Sequence, residues 1–210
     1  MGKDRLVPYL HGTIVKNRDG RLLYMKITTR ETSPGRQLPT AQAYSDAFRK
    51  SLEQFGRIDH LNLIIDSRGG SYYSAAGCQD CITRMQRAGK IGSVRILIDG
   101  QCGSAATVVA FAPYNNRAVF ITPSSRVYIH NPKIYQYTRT DGIWGMIERV
   151  GTSVTISTIR KLYSYRTGRK RGEIREWMDE GKHFTAQEAV DVGFCDGIMT
   201  RTDFEKGVLK

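Results

Sequence analysis

Residues 94–112 read VRILIDGQCGSAATVVAFA. The segment Val94 to Gly100 is short, apolar and rich in β-branched residues, which is the composition of a buried strand closed by a glycine. The residues after it, AATVVAFAPY, are small and apolar and read as a helix. Ser104 therefore stands between Gly103 and Ala105 at the seam of a strand and a helix. A serine there has two readings. It is a small packing or capping residue, or it is a nucleophile with open space on both sides and a helix N–H at Ala105 aimed beside it.

The neighbouring sequence frames this seam as part of an α/β layered fold. LNLIIDS (61–67) is a second strand followed by glycines, and YYSAAGCQDCITRMQRAG reads as the helix between the two strands. Downstream, AVFITP and RVYIHNP make two more strands. The segment DGIWGMIERVGTSVTISTIRKLYSYRTG makes a long helical stretch with β-branched interruptions. TAQEAVDVG is a short helix with Thr185 as N-cap, and it runs into a terminal strand, FCDGIM. Upstream, VPYLHGTIV and LLYMKITT pair as a hairpin across KNRDG; SPGRQLPT is a loop, and TAQAYSDAFRKSLEQFG a helix. The expectation is a single domain over 1–210, least defined over the hairpin, loop and helix of 1–57.

Composition is that of an ordinary globular chain: 210 residues, 40% hydrophobic and 25% charged. Apolar runs fall short of a membrane span, and MGKDRLVPYLHG lacks the apolar core of a secretory signal, so no membrane association is expected. Four cysteines, Cys78, Cys81, Cys102 and Cys195, do not make a disulfide framework in a chain of this length, and a cytoplasmic location is expected. The pair in CQDC lies within a helix and lacks a second pair to complete a zinc site; no metal and no cofactor are expected. The net charge is +12, densest in YRTGRKRGEIR at 165–175. Without interleaved aromatics or a helix-turn-helix pattern this run reads as a solvated turn between helices, and a nucleic-acid partner is not expected.

Three pieces bear on Ser104. In SRGGS (67–71) a strand ends in two glycines, so the N–H groups near Gly69 and Gly70 can face open space and host an oxyanion. Ser104 sits at a second strand-to-helix turn. His130, in RVYIHNP, ends another strand. If these strands run side by side in one direction, serine, histidine and glycine turn meet on one edge of the sheet, the arrangement that base-assisted acyl transfer requires.

These segments resemble the ClpP-type serine peptidases of the crotonase-like superfamily. SRGGS is similar to the family's SPGGS turn, GQCGSAATVVAFA to its GQAASMGAxLLAAG helix and RVYIHNP to its xxMIHQP strand. The segment from Tyr163 to Asp196 is similar to its ERTG…I…DxxxSAEEAxEYGLxD. The resemblance covers about residues 58 to 198. It implies a spiral of ββα units with a protruding long helix, Ser104 as nucleophile and His130 as base. It further implies oxyanion N–H groups from Gly70 (or Gly69) and Ala105. A peptide or unfolded-protein substrate, a homo-oligomeric ring and an ATP-dependent unfoldase partner come with it, and Trp144, Ile147 and Val150 are expected in the core or at a subunit contact.

The departures from the family pattern are Arg68 for proline, Ala105 for methionine, Asn131 for glutamine and Gly181 for the aspartate that would orient the histidine. Glu180 is expected to supply that carboxylate, since Gly181 lets the chain turn and glutamate reaches further than Asp179. The functional expectation is a serine endopeptidase acting through an acyl-enzyme. The alternatives are an inactive or weak scaffold subunit, motivated by Gly181, and a crotonase-type acyl-CoA hydratase or isomerase, which a Ser/His pair argues against.

Overall fold

The structure, a computed structural model, describes residues 5–17, 20–32, 57–70, 72–115, 117–132 and 143–206, with the side chains of 5–32, Ser74 and 143–150 left aside. The hairpin of the N-terminal segment is present, and longer than expected. Strands β1 (Arg5–Asn17) and β2 (Gly20–Thr32) pair antiparallel from Arg5 opposite Thr32 to Asn17 opposite Gly20. The loop SPGRQLPT and the helix TAQAYSDAFRKSLEQFG lie outside the described residues.

The path from β2 to β8 is parallel: β2 pairs β3 (Ile58–Ser67), β3 pairs β4 (Ile91–Gly103), and β4 pairs β5 (Arg117–Ile121), which pairs the terminal β8 (Gly197–Ile198). Parallel neighbours need crossovers, and α1 (Tyr72–Arg87) supplies the one between β3 and β4. Its Ala75, Cys78, Ile82 and Met85 recur at helical spacing, and the first three are buried. Leu61, Leu63 and Ile65 of β3, Ile96 and Ile98 of β4 and Val119 and Ile121 of β5 join them in one core and are fully buried. On the opposite face Ile64 and Leu97 pack against Phe204 of α6 (Arg201–Glu205), with the Arg95 guanidinium 4.7 Å above the Phe204 ring. The α/β fold of ββα units expected from the sequence is the one observed.

β4 does not stay with one neighbour. It runs beside β5 from Val94 to Ile98, bends at Gly100, and then pairs parallel with β6 (Arg126–Tyr128) from Gln101 to Gly103. The bend needs glycine: φ is 123° at Gly100, and a Cβ there would lie 2.3 Å from Asp66 Oδ1. That same carboxylate oxygen accepts from the Gln101 N–H at 3.1 Å. The strand expected over 94–100 thus continues three residues further, in a new direction.

Two helical expectations change. The helix α2 after Ser104 covers only Ala106–Ala110, because the Arg117 guanidinium takes the carbonyls of Phe111 and Ala112 at 3.0 and 2.6 Å and draws the chain out of the helix. The β-branched residues downstream interrupt nothing: α3 runs unbroken over Ile143–Thr167. In its described part only Ile159 and Tyr163 are buried, and Val154, more than a turn earlier, is 59% exposed, so between Tyr163 and Val154 the helix leaves the core. The side chains of Trp144, Ile147 and Val150 lie outside the described residues. The basic run forms the end of α3, a turn and the start of α4 (Arg171–Glu180), which is followed by β7 (His183–Thr185), antiparallel to β6, and by α5 (Ala186–Asp191). Thr185 caps α5 with a reciprocal Thr185–Glu188 capping box.

Tyr163 ties α3 to α2. Its hydroxyl lies 2.6 Å from Thr107 Oγ1, and Thr107 Oγ1 donates to the Ser104 carbonyl, so within this chain of bonds the tyrosine is the donor. Both side chains are fully buried, and burial pushes the Tyr163 phenol well up. Removing the end of such a chain costs less than removing its middle. Tyr163→Phe is expected to lower unfolding stability by about 1 kcal/mol, and Thr107→Val, which strands the buried phenol, by about 1–3 kcal/mol. Urea unfolding of the two variants measures the difference.

Candidate active site

The bend at Gly100 delivers Ser104 to the end of β6. The Ser104 N–H donates to the Tyr128 carbonyl at 2.9 Å, and Ser104 is the one described non-glycine residue with positive φ, at 52°. A left-handed serine costs energy that the surrounding bonds must supply, and such strain gathers at functional turns. Its side chain is thereby thrown toward His130. Ser104 Oγ and His130 Nε2 are 2.8 Å apart.

The glycine turn after β3 packs into the same seam. Gly69, at φ 103°, approaches so closely that a Cβ would lie 2.6 Å from the Gly103 carbonyl oxygen and 2.7 Å from Ser104 Cβ. Gly69 is buried and its N–H donates to Ser67 Oγ at 3.2 Å, whereas Gly70 is exposed. The first helical bond of α2 runs from the Thr107 N–H to the Ser104 carbonyl, at 3.1 Å, so the Ala105 N–H precedes the helical ladder. Gly69 and Ala105 therefore flank Ser104, and the Ala105 N–H is one that this ladder does not engage.

His130 is fixed by its backbone neighbours. The Ile129 N–H donates to the Lys182 carbonyl at 3.0 Å and the Asn131 N–H to the Met178 carbonyl at 3.1 Å, which clamps the chain on either side of the histidine against the end of α4. Its ring stacks on Tyr128, with centroids 4.9 Å apart and planes at 12°, and Tyr128 stacks in turn on His183 at 4.2 Å and 21°. Sequence reasoning missed this three-ring stack, because it depends on β6 and β7 placing Tyr128 directly opposite His183.

The carboxylates divide. Glu180 ends α4, is exposed, and makes no hydrogen bond or ion pair with the described residues. Asp179 accepts from Asn131 Nδ2 at 2.6 Å and faces Arg160 Nη2 at 3.6 Å, while Arg160 also reaches Asn131 Oδ1 at 3.4 Å. Gly181 is the left-handed C-cap of α4, at φ 68°, and a Cβ there would meet the Tyr128 hydroxyl at 3.5 Å. Among the described residues no group of three or more His, Cys, Asp and Glu side chains is placed to hold a metal ion. No helix among them is long and apolar enough to cross a membrane.

The family model for Clp protease matches residues 47–202. The chain belongs to the Clp protease family. Among curated relatives it is 27% identical over 144 residues to the ATP-dependent Clp protease proteolytic subunit 2 of Mycobacterium tuberculosis, covering 66% of this chain and 62% of that one. It is 30% identical over 171 residues to proteolytic subunit 1 of Chlamydia caviae, covering 78% and 84% respectively. To the chloroplastic proteolytic subunit 6 of Arabidopsis thaliana the identity is 25%, over 65% of this chain and 48% of that one. The match thus spans less than two thirds of the length of the mycobacterial and plant relatives.

Cys102, two residues before Ser104, is fully buried, and burial together with the neighbouring Cys195 pushes its thiol well up. Burial also raises Cys78 and Cys195 to about 12. A thiol held neutral and out of solvent is a poor nucleophile. Ellman's reagent at pH 8 is expected to leave all four cysteines unreacted in the folded protein and to titrate all four after denaturation. Rapid native reaction at Cys102 would place a competing nucleophile in the site.

Proposed function

We propose that this member of the Clp protease family is a serine endopeptidase in which Ser104 attacks the scissile carbonyl. The observation that carries the reading is the 2.8 Å contact between Ser104 Oγ and His130 Nε2. With the Nε2 lone pair toward the hydroxyl, His130 accepts the proton as Oγ bonds to carbon, and then returns it to the leaving amine. The negative charge developing on the carbonyl oxygen falls to the N–H groups of Gly70 and Ala105. The resulting acyl-enzyme is cleared by water, with His130 again as base.

Asp179 is assigned as the positioning residue, through Asn131, because it is the carboxylate at the end of α4 that is tied to the residue following His130. The Tyr128 stack supports the imidazole from its face. A catalytically weak scaffold subunit is the second reading, favoured by Gly181, whose place at the C-cap of α4 leaves no side chain there. The hydratase alternative has no use for an aligned Ser/His pair.

A fluorophosphonate probe with intact-mass detection tests these readings together. The parent is expected to gain one adduct, and Ser104→Ala and His130→Ala to gain none, with the double variant no worse in peptide hydrolysis than either single one. Asp179→Asn is expected to slow acylation by about tenfold or more and Glu180→Gln by less than about twofold. An unlabelled parent favours the scaffold, and a fall confined to Glu180→Gln transfers the positioning role to that residue.

The substrate on this reading is an unfolded polypeptide, delivered in the cytosol by an ATP-dependent unfoldase, in keeping with the ATP-dependent proteases named among the relatives. Assembly belongs to the same reading. The part of α3 that leaves the core exposes Val154, and an apolar group on a projecting helix is suited to contact between copies. Light scattering is expected to give a mass several times that of one chain at micromolar concentration; a single-chain mass would refute the ring.

A further inference from the structure

The basic run at 165–175, read from sequence as a solvated turn, does not scatter its charges evenly. Arg166 is largely buried and bonds Asp196 at 2.9 Å, and Arg169 pairs with Glu173 at 3.5 Å. Arg171 and Arg175, one turn apart on α4, have no carboxylate partner among the described residues. Both instead line an open cleft of about 720 Å³ between α3 and the first turns of α4, and Arg160 lines it from the α3 side. Ser153 and Ser157 add hydroxyls, and no carboxylate is among the described lining residues.

The backbone adds to the same field. The N-cap of α4 is Lys170, which makes no side-chain capping bond, and the first helical bond runs from the Ile174 N–H to the Lys170 carbonyl. The N–H groups of Arg171, Gly172 and Glu173 therefore precede the helical ladder, at the positive end of the helix dipole. Gly172 is in the cleft lining, and a Cβ at its position would meet nothing within 4 Å, so the backbone there is open to approach.

We propose that this cleft is a binding site for a pyrophosphate-class anion. Guanidinium forks take phosphate oxygens in pairs, and helix N-terminal N–H groups favour the same charge. Arg171 and Arg175 offer two guanidinium forks without a carboxylate partner among the described residues and Arg160 a third that it shares with Asp179, and the volume is that of a small-molecule site rather than of one tetrahedral ion. The proposal is independent of whether Ser104 is a nucleophile. Arg160 links the two sites, because it also touches Asn131 and Asp179, so a bound anion and Asp179 draw on the same guanidinium.

The test is isothermal titration calorimetry of the full chain with sodium pyrophosphate at low ionic strength. Non-specific attraction to a chain of charge +12 is controlled by a second double variant that removes two cations elsewhere. The parent is expected to bind one equivalent saturably. Arg171→Ala with Arg175→Ala, both at exposed positions, should weaken binding about tenfold or more. Arg87→Ala with Lys90→Ala, exposed at the far end of α1, should change it less than about twofold. Equal weakening in the two double variants, or a parent without saturable binding, overturns the site.

Discussion

The bend of β4 at Gly100 is the constraint on which the site rests. A parallel strand that kept its first neighbour would carry Ser104 along the line of β5, away from His130. Because the Asp66 carboxylate occupies the space of a missing side chain at Gly100 and takes the Gln101 N–H, the strand turns and pairs with β6 instead. That exchange of partner sets Ser104 against the Tyr128 carbonyl, two residues before the histidine. Asp66 acts as a brace for the Ser104 turn.

Everything close to Ser104 is then held from several directions. Gly69 presses on the turn from β3, Thr107 and Tyr163 hold its carbonyl side from α2 and α3, and Met178 and Lys182 clamp the backbone around His130. A left-handed serine persists only where its surroundings over-determine it, and these contacts do so. They come from elements far apart in sequence, so a change in α3 is felt at Ser104.

The end of α4 unites helix termination with the environment of His130. Gly181 stops the helix by adopting a left-handed conformation, and this sends β7 back along β6, where His183 stacks on Tyr128 and Tyr128 on His130. Immediately before the cap, Asp179 reaches Asn131 and Arg160. The imidazole thus has an aromatic face on one element and a polar network one residue away, and Arg160 extends that network toward the basic cleft.

Local chemistry made much of this readable in the sequence. The apolar runs of β3 and β4, the glycines after them, the Thr185 cap and the order of SRGGS, Ser104 and His130 express propensities and turn chemistry that act within a few residues, and they defined the α/β layering and the candidate pair. Short-range signals failed where distant groups intervened. Arg117 shortened α2 by capturing its exit carbonyls, and side-chain propensity did not break α3, since β-branched residues in a long hydrogen-bonded helix cost only about tenths of a kcal/mol each. The carboxylate near the histidine was beyond sequence for the same reason. Asp179 and Glu180 are adjacent and alike in chemistry, and they differ only in which side of α4 each occupies relative to Asn131, a matter of helical phase and packing. Composition measured the charge of the basic run, but only the tertiary structure decided that Arg166 meets Asp196 and that α3 and α4 bring Arg160, Arg171 and Arg175 to one cleft.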